Sequence, residues 1–165
     1  TDGVLTLSRK LDAEEVFFNP KDDKARAEHV ATFTSIADKL HLRVLGWRDV
    51  PVDNSILGPA SKSKEPKIMQ PFVVLKDHYG SGSTPAETSK AFDEQYFGRQ
   101  LYVLRKHATH TIGLQNWFYI CSLSPTNIIY KGQLSPVQVY NYYYDLNNVH
   151  YASHFALVHS RFSTN

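Results

Sequence analysis

Between positions 20 and 40 the apolar residues return every third or fourth place: Ala27, Val30, Phe33, Ile36, Ala37 and Leu40. That period lines them along one stripe and predicts a helix ending near Leu40. Asn19-Pro20 marks its start, because Asn can accept from the free N–H groups of a first turn and Pro fits there. Asp22 and Asp23 follow, where the helix dipole favours negative charge. A short strand over 15–18 precedes the helix, while residues before it are only weakly periodic. After the helix the period drops to two. Leu42-Arg43-Val44-Leu45-Gly46-Trp47 alternates as a strand does, and Pro51 closes it. Residues 53–66 carry a Gly, two Pro and several Ser and Lys, and predict a surface loop. A further strand is expected over 68–75, with Pro71 placing it at a sheet edge or beside a bulge.

Residues 76–89, with Gly80-Ser81-Gly82-Ser83-Thr84-Pro85, have the composition of a flexible insertion inside one domain, since neither flank looks self-sufficient. A second helix is predicted over 92–108, turning Phe92, Tyr96, Leu101, Leu104 and Ala108 inward. Two apolar runs, 117–123 and 128–132, flank the turn Ser124-Pro125-Thr126-Asn127 and predict a hairpin. Ser135-Pro136 opens a short helix through Val139 and Tyr140, with the serine as cap. The apolar run 155–159 is expected as a final buried strand with Arg161 emerging from its end. Helices alternating with antiparallel strands, without an internal repeat, make an α/β or α+β chain.

Composition narrows the function classes. A length of 165 residues with 42% hydrophobic content suits one core. Eighteen basic against 16 acidic residues leave a net charge of +2, too small a field to argue for nucleic acid or a membrane surface. No apolar run reaches the length of a membrane span, and the start has neither the basic nor the apolar region of a secretory leader, which says little of an excised piece. The low cysteine content fits a reducing compartment, and the expected location is the cytoplasm, with an organelle as the alternative. A single cysteine excludes an intrachain disulfide and a Cys-rich zinc site.

Candidate chemistry is sparse. Thr1 could act through its own amine, but Asp2-Gly3 reads as a turn, and a cut end is the simpler account. Cys121 sits in an alternating apolar stretch and reads as an inert core thiol rather than a nucleophile. His107 and His110, and then His150, His154 and His159, have no carboxylate or thiolate at ligand spacing, so no metal site is expected. The glycines around Gly82 lack the following Lys-Ser/Thr of a phosphate loop. The Tyr140-Asn141-Tyr142-Tyr143-Tyr144 cluster has no basic stripe beside it and reads as packing and interface. Arg161 remains, with Thr164 beside it. A rigidly mounted guanidinium suits two-pronged capture of a carboxylate; an internal ion pair would account for it equally well.

His159-Ser160-Arg161-Phe162-Ser163-Thr164 resembles the His-x-Arg-x-x-Thr motif of the class II glutamine amidotransferases. More narrowly, 157–165 resembles the matching segment of the glutamate synthases, of the large eukaryotic pyridine-nucleotide type. Further blocks resemble that group in order: Val44-Leu45-Gly46-Trp47-Arg48-Asp49-Val50-Pro51-Val52, Ser55-Ile56-Leu57-Gly58, Glu65-Pro66, Gln100-Leu101-Tyr102-Val103-Leu104-Arg105-Lys106, and 116–143. The resemblance implies an α+β fold, part of the four-layer αββα sandwich of N-terminal nucleophile hydrolases. It implies L-glutamine as substrate, with Arg161 on the α-carboxylate and Thr164 at the amino-acid end. Ammonia released from glutamine would aminate 2-oxoglutarate elsewhere in the polypeptide, with FMN, FAD, iron–sulfur clusters and NAD(P)H, in a homo-oligomer. The family's Cys-Gly start and Asn-Gly oxyanion hole are not in residues 1–165. The chain is therefore expected to be an internal part of one amidotransferase domain: it binds no cofactor, holds no catalytic residue and is inactive alone. The alternative is a non-catalytic α/β interaction module with a tyrosine-rich surface.

Overall fold

The computed structural model describes residues 12–13, 16–19, 21–76, 93–113, 117–154 and 156–158. It is an α+β arrangement built on one antiparallel sheet. The strands are β1 (Asp12–Ala13), β2 (Val16–Phe18), β3 (Leu42–Asp49), β4 (Lys67–Leu75) and β5 (Tyr119–Ile120), and the helices are α1 (Asp23–Lys39), α2 (Pro59–Lys62), α3 (Glu94–Ile112) and α4 (Pro136–Tyr142).

Strand β4 is the spine. One edge pairs with β3, and the other pairs with β2 at residues 67–69 and with β1 at 72–73. β5 then adds to the far side of β2 through Val16↔Ile120 and Phe17↔Tyr119. Pro71 therefore lies in a central strand, not at an edge. Its missing N–H is accommodated because the ladder is irregular around it. β3 bulges between Val44 and Gly46, and on the opposite edge Pro71 faces the interval between the β1 and β2 pairings.

Helices α1 and α3 cover one face of this sheet. Asp22, rather than Asn19, caps α1: its carboxylate accepts from Ala25 N at 2.8 Å, while Asn19 closes a local turn onto Lys21 N at 3.0 Å. Phe33, Ile36 and Ala37 are buried as predicted, with Val30 and Leu40 packed beside them, but Ala27 is exposed. Asp93 caps α3 onto Tyr96 N, and the helix runs a turn past the predicted end. Its buried stripe is Phe97, Leu101, Leu104, Ala108 and Ile112. Tyr96, expected inward, sits one position off that stripe and is 37% exposed. Gly113 ends the helix at φ 83°, ψ 142°, a backbone conformation that side chains resist, and its N–H closes on Thr109 O at 3.0 Å.

Three other expectations are corrected. The 53–66 loop holds a 3-10 turn at Asn54–Ile56 and the single-turn helix α2. The predicted hairpin does reverse at 124–126, but the two arms form no ladder; β5 takes its partner from β2 instead. The 155–159 strand is not seen among the described residues. Residues 156–158 have no regular structure, and Leu157 and Val158 are 92% and 80% exposed because no strand among the described residues pairs with them. α4 forms as predicted, with a reciprocal capping box: Gln138 N donates to Ser135 Oγ and Ser135 N donates to Gln138 Oε1. The insertion expected after Lys76 lies outside the described residues.

Candidate functional site

The sheet face opposite the helices is where polar groups gather. Arg48 and Gln70 are register partners on β3 and β4, so their side chains project from neighbouring positions. Arg48 Nε donates to Gln70 Oε1 at 2.7 Å. The outer edge of the same guanidinium meets Asp145, with Nη2 against Oδ2 and Nη1 3.4 Å from Oδ1. Asp145 reaches this position because the 3-10 turn Tyr144–Asn147 directly follows α4. The turn is itself tied to the chain beside β3, Tyr144 N to Pro51 O at 3.2 Å and Asp53 N to Tyr142 O at 2.7 Å. Both members of the ion pair are largely withdrawn from water, with side chains 27% and 12% exposed.

Tyr130 completes the relay, its hydroxyl donating to Asp145 Oδ2 at 3.0 Å. Burial pushes the Tyr130 hydroxyl far above the usual phenol range, and the negative charge of Asp145 and the proximity of Tyr151 push it further. Tyr130 is therefore a neutral donor at any working pH. Its ring packs 4.9 Å from Tyr143 and 6.2 Å from Tyr151, centroid to centroid. Tyr143 is fully buried and donates to Lys131 O at 2.9 Å. Tyr142, 4% exposed, donates to Glu65 Oε1 at 2.6 Å, and Asn54 Nδ2 holds the other Glu65 oxygen at 2.9 Å. The tyrosine cluster thus divides: Tyr142 and Tyr143 are core, whereas Tyr140 and Tyr144 are 54% and 53% exposed.

Chemically this is a clamp, not a reaction centre. It matches a cation to an anion, with Tyr130 as a neutral donor to the carboxylate and Gln70 as a neutral acceptor from the guanidinium. One atom stands apart: Gln70 Nε2 is buried without a hydrogen-bond partner among the described residues. Cys121 is 7% exposed with its Sγ 3.7 Å from Ile129 O, the inert core thiol expected. His107, His110, His150 and His154 are all on the surface. No group of three His, Cys, Asp or Glu among the described residues could hold a metal ion, and no helix among them is long and apolar enough to cross a membrane. Arg161 and Thr164 lie outside the described residues, as do Thr1, Gly82 and His159.

The residues of the clamp were not singled out from the sequence. Arg48 and Asp145 are distant in the chain and no local spacing connects them. The available signal was chemical and weak: Gln70 interrupts the apolar run of β4, and a polar group in such a place needs a partner.

Against known proteins the sequence matches the family described as "Glutamine amidotransferases class-II" over residues 3–165. The chain belongs to this family. Among individual amidotransferase relatives, "Glutamate synthase [NADH]" of Schizosaccharomyces pombe is 59% identical over 162 residues, covering 98% of this chain and 7% of the relative. "Glutamate synthase [NADH]" of Saccharomyces cerevisiae is 56% identical over 134 residues, 81% of this chain and 6% of the relative. "Glutamate synthase [NADPH] large chain" of Bacillus subtilis is 39% identical over 153 residues, 91% of this chain and 9% of the relative. The chain therefore spans less than a tenth of the length of these relatives.

Proposed function

We propose that this chain is part of the glutaminase domain of a glutamate synthase. In that reading the domain releases ammonia from L-glutamine, and the remainder of a long polypeptide uses it for reductive amination of 2-oxoglutarate to L-glutamate. One observation carries the assignment: 59% identity to a glutamate synthase across 98% of the chain, within a family match over residues 3–165. Identity of 59% over 98% of the chain supports a shared fold, and with it the four-layer αββα arrangement, of which the described sheet and its α1–α3 layer would be one half.

Arg161 is assigned the α-carboxylate of glutamine and Thr164 its amino-acid end. The nucleophilic cysteine and the oxyanion donors would come from sequence outside residues 1–165. Loss of even one oxyanion donor costs about 2.7–4 kcal/mol of transition-state stabilisation, so residues 1–165 alone should not hydrolyse glutamine. The redox groups belong elsewhere too. An iron–sulfur cluster is held by several thiolates, and this chain has the single buried Cys121. FMN, FAD, clusters and NAD(P)H are accordingly assigned to the rest of a homo-oligomeric, cytoplasmic enzyme.

The test is kinetic. In the full-length enzyme Arg161→Lys should raise KM for glutamine roughly tenfold or more, because an ammonium cannot reproduce a two-pronged contact. An unchanged KM would remove the carboxylate role.

A further inference from the structure

Helix α3 presents a second ordered stripe on the side away from the sheet. Gln95, Arg99, Tyr102 and Lys106 recur there at steps of four, three and four, all exposed, with Val103 beside Tyr102. Tyr102 and Val103 are 56% and 43% exposed, and no described residue covers them. An open groove of about 580 Å³ runs along this stripe, lined by Gln95, Gly98, Arg99, Tyr102 and Val103. The charge is one-sided. After Glu94 in the first turn, every charged residue of α3 is basic: Arg99, Arg105 and Lys106. Arg105 turns away, donating to Cys121 O at 3.4 Å. The Arg99 guanidinium has no hydrogen bond or ion pair among the described residues. Lys106 meets no carboxylate among them either; its ammonium lies over the Tyr102 ring, 5.8 Å from the centroid.

We propose that this face of α3 docks an acidic amphipathic helix supplied by the longer polypeptide outside residues 1–165. This rests on the reading above only in taking the chain as a piece of a longer polypeptide; glutamine binding does not enter. There is ample chain to supply such a helix, since the 59% identical relative is matched over 7% of its length. Arg99 and Lys106 are two turns apart, about 10.5 Å along the axis. Carboxylates at the same spacing on a facing helix would meet both cations. An apolar side chain between those carboxylates would fill the groove beside Tyr102 and Val103. A stripe stepping by four, three and four is the seam along which two helices pack at a shallow angle, and neither a strand nor an irregular loop matches that period. A lipid surface fits less well, because Arg99 and Lys106 fall short of the roughly four to eight clustered cations that hold anionic headgroups.

The experiment places a thiol on the stripe, Val103→Cys in the full-length polypeptide, with Tyr102→Cys as a second reporter. Labelling by a neutral maleimide is followed by mass spectrometry of the peptide that carries the new cysteine. Expected is labelling roughly tenfold slower than in a synthetic peptide of the same helix, accelerated severalfold by about 0.5 M NaCl and by Arg99→Glu with Lys106→Glu. Glutamates beside a thiol raise its pKa and slow its reaction, so faster labelling at an unchanged unfolding midpoint reports an uncovered face. Labelling as fast as in the peptide overturns the proposal. So does slow labelling that neither salt nor charge reversal moves, because the cover is then not acidic. Protection lost on dilution would assign the face to a second copy, and protection gained only with anionic phospholipid vesicles would assign it to lipid; either overturns the proposal. An unchanged KM for glutamine in Arg161→Lys would overturn the glutamine-binding reading and leave this proposal standing.

Discussion

Replacing Arg48 by Met tests whether the polar face is held by charge or merely decorated with it. Met keeps most of the volume and removes every donor. Asp145, with only 12% of its side chain exposed, would keep the Tyr130 hydroxyl and lose the guanidinium, and the Gln70 side chain would lose its one partner among the described residues. Breaking a buried pair from one side costs about 3–5 kcal/mol. Arg48 is 27% exposed, which lets water reach the gap, so the lower end of that range, about 3 kcal/mol, is expected. The pair Arg26–Asp23 on α1 is the internal control: Asp23 is 84% exposed, and a pair of that kind contributes about 0.3–0.5 kcal/mol. Urea unfolding of wild type, Arg48→Met, Asp145→Leu and the double variant would measure both the loss and the coupling. The double variant should recover part of the loss, since it removes the stranded charge. A cost under about 1 kcal/mol for Arg48→Met, or strict additivity in the cycle, would refute the reasoning.

Two further outcomes follow from the helix face of the sheet. Phe97→Ala should cost about 3–5 kcal/mol, while Tyr96→Ala should cost under about 1 kcal/mol, because only Phe97 is in the buried stripe of α3; equal costs in urea unfolding would contradict the assigned stripe. His29 is held below its ordinary pKa chiefly by burial, with Glu28 and Asp22 opposing, and it packs among Phe18 and Phe118. Its unfolded imidazole takes a proton near 6.5, so the unfolded state binds more protons just below that pH. The stability is complete above that value and is lost as pH falls through the depressed folded value. His29→Phe should flatten this part of the pH dependence of unfolding, and an undiminished slope would sink the assignment.

What the sequence revealed was governed by how local the cause is. Most of the α1 and α3 stripes and the Ser135 cap depend on residues a few places apart and were legible, although Ala27 and Tyr96 were placed inward and Phe97 and Ile112 were missed. Pro71 was legible in part: the bulge expected beside it is present in β3, but its place in a central strand also depends on an interruption between β1 and β2, and both are set by distant segments. The 117–132 region misled for a related reason: an alternating apolar run announces a strand without naming its partner, and Ile120 pairs with Val16 instead of its neighbour across the turn. Arg161 and Thr164, which lie outside the described residues, were named from a motif, whereas Arg48, Asp145 and Tyr130 of the candidate site are joined only by the fold.

The pairing of β2 with β5 also bears on how the molecule assembles. Helix α1, β3 and β4 are close neighbours along the chain, so their association closes only short loops. Val16 must wait for Ile120, and the entropy of closing so long a loop comes due before that contact rewards it. The sheet should accordingly grow from the β3–β4 ribbon outward, with β5 arriving last and acting as the latch on an already formed nucleus.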